Sequence, residues 1–562
     1  MGYELGDVIA VINLALLVVM IGGPPIVILS LYLSDRNQSQ HAVLRNFPLL
    51  GRIRYVLEHI GPELRQYLFN SDREGKPFSR DDYHTVVFAG KYLKSIMSFG
   101  SKRDFDQPGW YLRNSMVVTL MQDLRIVREP LLPTRRYVIE SEGLMSRKEK
   151  MGDQTVSPWT LPDEDALVVG AGLAHPWTLR GLIGMSAMSY GALGRNAIQA
   201  MSHGLAMATG SWLNTGEGGL SEHHLVGGGD VVFQIGPGLF GVRTEAGEWD
   251  WDEFRSKAAV PQVRGFELKI HQGAKIRGGH VEAEKVTEEI ARIRRVPAFT
   301  TIDAPNRFEM FATIDQLFDH VSRMRSEAQK PVGIKVVVGG PGSCDDIAAA
   351  MARRGDGPDW ITVDGGEGGS GAMYQEMADT MGLPVRSGLV EMDDALRRHG
   401  VRDRVRIFAS GMMFSADRIA IALSLGADAV NIARGLMISV GCIQAQKCHS
   451  NQCPVGVATT DEKLMKALVV DEKKYRVMNY IVTLRAALAS LTAAAGLRSP
   501  TEFTRHHAVY RDAYGRVASA ADIFPSPRPG SARRPAVLPR IDVLRGDGAL
   551  AGLGDEEKPE AR

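Results

Sequence analysis

Cysteine is scarce in this chain: there are four in 562 residues, and none precedes Cys344. A disulfide framework spreads paired cysteines through a small secreted chain, so that architecture is excluded. Three of the four fall in one short stretch, at Cys442, Cys448 and Cys453, which reads as a metal site in a reducing compartment. An excess of one charge is missing too. Lys plus Arg total 66 against 65 Asp plus Glu, a net +1. No basic stripe points to a nucleic-acid partner. Periodic glycine is absent: the 60 glycines sit in short loops after apolar runs, which suits backbone approaching a ligand rather than collagen or a linker.

Charge is also absent from Val8 to Leu33. A run of about 20 apolar residues crosses a bilayer core, so residues 1–34 are expected to form a transmembrane anchor. Pro24 and Pro25 should kink it, which membrane helices tolerate. The start lacks the basic residues and the cleavage site of a signal peptide. Glu4 and Asp7 precede the run, and Arg36, Arg45, Arg52 and Arg54 follow it. The positive-inside rule then places the N-terminus outside the inner (plasma) membrane and the rest of a single-pass chain in the cytoplasm. A buried core helix or hairpin is the competing reading.

Residues 35–130 mix aromatics, charges and short apolar stretches, and read as a small, mainly helical region. Between 131 and 500 an alternation appears. Apolar runs at 181–189, 210–216, 266–271, 299–304, 332–338, 360–364, 405–411 and 429–435 are separated by helix-like stretches such as Asp345–Arg354 and Ser415–Gly426. Eight short strands alternating with helices predict an α/β fold, a (β/α)8 TIM barrel. A doubly wound open sheet is the rival. A further run, VVFQIG at 231–236, is expected as a ninth strand outside the barrel. The extension 501–562 holds Pro525, Pro527, Pro529, Pro535 and Pro539 and a polar tail, and is expected to be partly disordered.

Polar residues concentrate where the strands stop. These are Ser189-Tyr190-Gly191, the run Asn214 to Gly219 with Glu217 inside it, Lys269, Gln272 and Lys275, Lys335, Asp364-Gly365-Gly366, Gly411, and Arg434-Gly435. They converge only if the barrel closes. Glycines after the last two strands match the phosphate cradle of such barrels, where backbone N–H groups bind phosphate and Arg434 adds a charge-assisted contact. A barrel lysine suits the electron-rich edge of a reduced flavin; its other reading is a structural ion pair. Gly366–Gly371 fits GxGxxG, but lacks a βαβ unit ending in an acidic ribose contact. A flavin-contacting loop is the better reading. Cys442-x5-Cys448-x4-Cys453-Pro454 is typical of iron–sulfur ligation. Zinc with His449 as fourth ligand is the competitor, although adjacent Cys448 and His449 do not easily share one tetrahedral ion.

Taken together, AMSYGAL (187–193), NTGEGG (214–219), ELKIHQGAK (267–275), DGGEGGSGA (364–372) and CIQAQKCHSNQCPVGVAT (442–459) resemble the FMN-binding synthase domain of glutamate synthase. The resemblance covers roughly residues 165–480. It extends to stand-alone FMN-binding glutamate synthase family proteins, some of which have a hydrophobic N-terminus. It implies FMN, a 3Fe–4S cluster held by Cys442, Cys448 and Cys453, and reductive amination of 2-oxoglutarate to L-glutamate. By the same carry-over Ser189 and Lys335 would touch FMN beside Gly365 and Gly366. Gly411, Arg434 and Gly435 would lie near its phosphate. Lys269, Gln272 and Lys275 would face the substrate carboxylates, and Glu217 would sit where ammonia enters, as a proton relay or ammonium site.

The same resemblance marks departures. The family's amidotransferase domain begins with a cysteine, and no cysteine here precedes Cys344, so ammonia would come from another source, such as a separate amidotransferase. Lys275 is followed by Ile276-Arg277 where the family has a proline–glycine turn, and Asp303-Ala304-Pro305-Asn306 replaces a proline run ending in histidine. No NAD(P) unit is visible, so electrons would come from an external donor, a ferredoxin or reductase subunit. Alternative readings are a flavin barrel acting on another keto or hydroxy acid, and a membrane-tethered electron-transfer subunit. Gly339 to Cys344 also looks like the loop that carries the catalytic cysteine in IMP dehydrogenases. The cysteine cluster and NTGEGG argue against that, and Cys344 reads as a small buried thiol.

Overall fold

The structure is a computed structural model that describes residues 5–271, 279–369, 371 and 373–532. The chain divides into two compact units, residues 1–83 and 84–562. The first is helical. A long helix, Leu5–Asn37, carries Pro24 and Pro25 within it, and its apolar side chains from Ile9 to Leu33 are largely exposed. It is long and apolar enough to cross a membrane. A short helix, Ala42–Asn46, leads to Leu50–Leu64 and a wider, π-helical turn, Arg65–Phe69. The helical character of the region after the anchor ends at Tyr92; from there to Pro130 the chain holds one strand, Gly109–Leu112, and one short 3-10 turn, Met121–Asp123.

The second unit is built on an eight-stranded parallel sheet. In chain order its strands are β1 Ile183–Met185, β2 Trp212–Asn214, β3 Asp230–Ile235, β4 Val263–Lys269, β5 Val332–Val337, β6 Trp360–Asp364, β7 Arg406–Ser410 and β8 Ala429–Ile432. The order around the sheet is β1-β8-β7-β6-β5-β4-β3-β2. The first strand thus pairs with the last, and β1 and β2 face each other across a seam that Ser211 Oγ bridges to Ile183 O at 2.6 Å. This is the predicted TIM barrel, with one strand reassigned. The run 231–236, expected outside, supplies β3, whereas 299–304 lies outside the barrel and gives only Ile302–Asp303, paired antiparallel with His280–Val281. A parallel strand is buried on both faces and needs a continuous apolar run. Val231 to Ile235 are all buried, while Phe299, Thr300, Thr301 and Asp303 are exposed.

Side chains alternate along each strand, so every second residue enters the barrel. The N-terminal end is filled by rings. Trp212 on β2, Trp360 on β6 and Phe408 on β7 pack with Trp177, which plugs the base from the two-stranded Leu167–Val169/Trp177–Leu179 ribbon. Glycines make the room: a Cβ on Gly184 would strike the Trp212 indole, and one on Gly333 the Trp360 indole.

Helix Val470–Ala494 also has the length and composition of a membrane span, but its apolar surface is spent inside this unit, with Val477, Tyr480, Ile481 and Ala489 fully buried. Its Arg485 donates to Pro158 O, Ala208 O, Thr209 O and Ser211 Oγ. That arginine thereby locks the barrel seam. The C-terminal extension contributes two strands: Ala508–Arg511 pairs antiparallel with Gly109–Leu112 on one side and with Val517–Ser519 on the other. The last thirty positions of the extension, where Pro535 and Pro539 fall, lie outside the described residues.

Candidate active site

The site residues follow from strand period. On β4, Glu267 and Lys269 point inward one above the other, in register with Gly333 and Lys335 of β5. Lys335 is in turn level with Thr362 of β6, and Asp364 with Ser410 of β7. Above the aromatic base lies a polar layer centred on Glu267, which is 1% exposed. Its Oε1 accepts from Asn214 Nδ2 at 2.9 Å and Gln234 Nε2 at 2.7 Å. Its Oε2 accepts from Trp360 Nε1 at 3.2 Å and Thr362 Oγ1. Four donors from β2, β3 and β6 thus satisfy one buried carboxylate, as a buried charge requires. Sequence reasoning missed this residue, although a glutamate inside the apolar run FELKIH was the signal.

At the C-terminal mouth the layer becomes ionic. Lys335 Nζ lies 3.2 Å from Asp364 Oδ2, and both side chains are 3% exposed. Lys269 Nζ lies 2.7 Å from Glu217 Oε1. Two of the three lysines expected at the mouth, Lys269 and Lys335, therefore stand there, each in an ion pair. Gln272 and Lys275, the remaining predicted substrate residues, lie outside the described residues.

Glu217 arrives on the loop after β2, and the loop is shaped by local hydrogen bonds. Gly216 N donates to Asn214 Oδ1 at 3.0 Å, and Gln234 N donates to Thr215 Oγ1 at 3.0 Å. Gly216 has φ +64°, and a Cβ there would press on Met188 and Ser189 backbone. Ser189 and Glu217 are thus brought onto one wall. Beneath them Arg294, fully buried, donates to Tyr190 O at 3.0 Å. Burial lowers its guanidinium to about 10, and the charge of Glu217 works against that shift. Tyr190 Oη donates to Glu289 at 2.6 Å, and Glu289 meets His223 Nε2 at 2.9 Å.

The glycine loops after β6 and β7 fold over the other side. Gly365 N donates to Ser410 O at 2.9 Å, and Gly366 N to Leu383 O at 2.8 Å. Gly411 has φ +126°, a conformation that L side chains rarely adopt. A Cβ on Gly368 would meet the Asp364 carboxylate at 2.7 Å, and one on Gly369 the Arg434 guanidinium at 2.9 Å. Arg434 donates to Glu367 O at 2.7 Å. Burial lowers its pKa, and Asp364 and Glu367 oppose that. Gly435 faces elsewhere: a Cβ there would reach Tyr480 Oη at 2.5 Å, so its smallness serves helix packing. The Glu367 carboxylate accepts from Val385 N at the start of helix Val385–Arg398, and burial raises its pKa.

The cysteine loop follows β8 and the short helix Arg434–Val440. Cys442 Sγ accepts from Gln444 N at 3.4 Å. Burial pushes the Cys442 thiol up to about 11, and Cys448 and Cys453 add to the rise. Cys448 reaches the glycine loop, where a Cβ on Gly371 would be 2.9 Å from Cys448 Cβ. His449 is exposed. Among the described residues, the His, Cys, Asp and Glu ligand atoms that gather within 4.8 Å of one another belong to Glu222, His223 and Glu289. The three thiols are not among those atoms. Lys285, also missed from sequence, is 5% exposed. Its Nζ donates to Cys448 O at 2.8 Å, Ala458 O at 3.2 Å and Ala192 O at 3.3 Å. Cys344 stands apart. It is buried, and its thiol is pushed up to about 12 by that burial, which does not suit a nucleophile.

Residues 146–498 match the family model described as the conserved region in glutamate synthase. The chain belongs to the glutamate synthase family. It is 48% identical to the glutamate synthase large subunit-like protein YerD of Bacillus subtilis, over 92% of this chain and 99% of that protein. The archaeal glutamate synthase [NADPH] of Methanocaldococcus jannaschii is 32% identical over 56% of this chain and 58% of its own length. The archaeal-type glutamate synthase [NADPH] of Thermotoga maritima is 32% identical over 61% and 64%. This chain therefore spans nearly all of the first relative and less than two thirds of the other two. Among solved structures, a mutant flavocytochrome b2 with pyruvate bound aligns over 90% of this chain and 99% of its own, at 13% identity and a TM-score of 0.40. This family member is an oxidoreductase of the glutamate synthase type, in the class that acts on CH–NH2 donors, and its polar mouth is where that chemistry belongs in a TIM barrel.

Proposed function

We propose that this glutamate synthase homologue reductively aminates 2-oxoglutarate to L-glutamate, using FMN in the barrel mouth, with ammonia supplied by another protein such as an amidotransferase. The observation that carries this is the pairing of two buried lysines with carboxylates at one mouth, Lys335 with Asp364 and Lys269 with Glu217. The glycine loops above them leave no space for a Cβ. Such a floor and rim fit a flat ring with a phosphate tail. Bound there, FMN would supply a hydride to the imine formed from keto acid and ammonia.

The protein's own groups do the rest. Lys335 and Ser189 would hold the ring, and Gly365, Gly366, Gly411 and Arg434 the side toward the phosphate. Gly435, turned toward Tyr480, would assist through backbone alone. Lys269, Gln272 and Lys275 would orient the two substrate carboxylates. Glu217, beside Lys269, would accept a proton from ammonium. Cys442, Cys448 and Cys453 offer three thiols, and His449 beside them is exposed, which supports a 3Fe–4S cluster over zinc. A cluster there would pass electrons from an external donor, a ferredoxin or reductase subunit, to the flavin. The apolar helix Leu5–Asn37 would anchor the enzyme in the inner (plasma) membrane, with the barrel in the cytoplasm.

The test is anaerobic reduction with dithionite, followed by 2-oxoglutarate and ammonium while the flavin band is watched. Reoxidation that needs both substrates and yields glutamate supports the proposal. Flavin that stays reduced with both present refutes this substrate pair, and a protein that never binds flavin refutes the site.

A further inference from the structure

Helix Leu50–Leu64 has an apolar face and a polar face. Leu50, Ile53, Val56, Leu57 and Ile60 recur at helical spacing, and Leu68 continues the row into the turn that follows. Arg52, Arg54, Glu58 and Glu63 fall on the remaining positions. In a globular domain such a stripe is spent on the core. Here Leu50 is 68% exposed, Ile53 55% and Leu68 70%. The polar face is held to itself, with Arg54 Nε 2.6 Å from Glu58 Oε1.

The helix is also fixed to the end of the apolar span. Asp35, in the last turn of Leu5–Asn37, is 1% exposed. Its Oδ2 accepts from Leu49 N at 3.0 Å and Arg52 Nε at 2.9 Å, and its Oδ1 from Arg52 Nη2 at 2.6 Å. One carboxylate therefore sets where the stripe begins relative to where the span stops. Both apolar surfaces are uncovered and follow one another in the chain. Arg36, Arg45, Arg54 and Arg65 lie along the same stretch, a charge suited to an anionic headgroup layer.

From this geometry we propose that Leu50–Leu64, with Arg65–Phe69, lies flat in the membrane interface, its stripe sunk among acyl chains and its arginines at anionic headgroups. The proposal rests on the reading of Leu5–Asn37 as a membrane anchor. The occupant of the stripe is lipid. A second copy of the chain or another part of this one would be a different answer, and the experiment separates them.

The full chain would be made with the photoreactive residue p-benzoylphenylalanine placed in turn at Val18, Ile53, Ile60, Arg54 and Glu58. Each protein would be reconstituted into vesicles of phosphatidylethanolamine and phosphatidylglycerol and irradiated. Lipid adducts are expected at Val18, Ile53 and Ile60, with yields at the last two about tenfold above those at Arg54 and Glu58, as burial of one helix face demands. Asp35→Ala should lower the yields at Ile53 and Ile60 while leaving Val18 unchanged. Adducts at Val18 without any at Ile53 and Ile60 would overturn the proposal and leave the anchor standing. Cross-links from Ile53 or Ile60 to protein rather than lipid would overturn it as well. No lipid adduct at Val18 would remove the anchor itself.

Discussion

Lys285 Nζ donates to the carbonyl oxygen of Cys448 at 2.8 Å, and to those of Ala192 and Ala458 beside it. One buried ammonium thus ties the cysteine loop to the loop that follows β1. Burial pulls its pKa down, while Cys448 and Cys453 pull it up. The Nζ thus sits beside two of the three thiols, those of Cys448 and Cys453.

Lys285→Met should therefore loosen the cysteine loop. Three buried carbonyls lose their donor, at about 1–3 kcal/mol for a group left unsatisfied. The expected result is a lower unfolding midpoint and loss of bound iron, read by denaturation and metal analysis. Cys448→Ser should lose the iron with a much smaller change in stability. Zinc in place of iron, or stoichiometric iron retained in Cys448→Ser, would contradict the cluster assignment.

The pair Lys335 and Asp364 gives a second prediction. Removing one member of a buried ion pair leaves the other unpaired, at about 3–5 kcal/mol. Lys335→Met alone should be strongly destabilised. Lys335→Met combined with Asp364→Leu should recover much of that loss, while binding no flavin. A double variant that stays as unstable as the single one would show that the pair is not the source of the effect.

Glu217→Gln keeps the shape of the loop after β2 but removes the charge facing Lys269. If Glu217 handles ammonia, the KM for ammonium should rise about tenfold or more, the scale on which positioned acid–base groups act. The flavin spectrum and the KM for 2-oxoglutarate should stay close to those of the parent. Equal changes in both KM values would point to a role in shaping the mouth.

Acid sensitivity follows from two buried histidines. Burial holds His224 down to about 3 and His320 to about 4. In the unfolded chain each would titrate near ~6.5. Between those values the unfolded state carries the extra protons, so stability rises with pH through this window and is lost as pH falls below ~6.5. The slope reaches ~1.4 kcal/mol per pH unit for each such group. His280 acts in the opposite sense, its pKa raised by Asp303 and Glu282. Urea unfolding from pH 7.5 to 5 should show the decline, and His320→Phe, packed among Trp249 and Trp251, should flatten it. An unchanged slope would exclude His320 as a contributor.

The barrel was legible because parallel strands announce themselves as short β-branched runs: six of its strands lie within the expected intervals, and Val263–Lys269 overlaps the run 266–271. The exchange of 299–304 for 231–236 shows where the rule needed sharpening. FTTIDA offers one β-branched apolar residue, Ile302, among polar ones, whereas VVFQIG is apolar on both faces of the strand. The mouth was legible for the same reason, since Lys269, Lys335 and Asp364 sit where runs end. What sequence did not give was pairing. Glu267 draws its four donors from three other strands, and Lys285 reaches carbonyls on two distant loops. Neither is written in local spacing. A glycine after a last strand fits a phosphate cradle, and the packing role of Gly435 shows only in the neighbouring Tyr480 hydroxyl.

The ring order of the sheet bears on how the protein is made. Strand β1 takes its ladder partner from β8, and Gly109–Leu112 takes its own from Ala508–Arg511. A ribosome therefore releases an open sheet with raw edges for most of synthesis, and nothing can seal it until Ala429–Ile432 emerges. Shortened chains that stop before that strand have no smaller barrel to fall back on. The nascent protein depends on shielding of its unpaired edges until its last quarter arrives to close the circle.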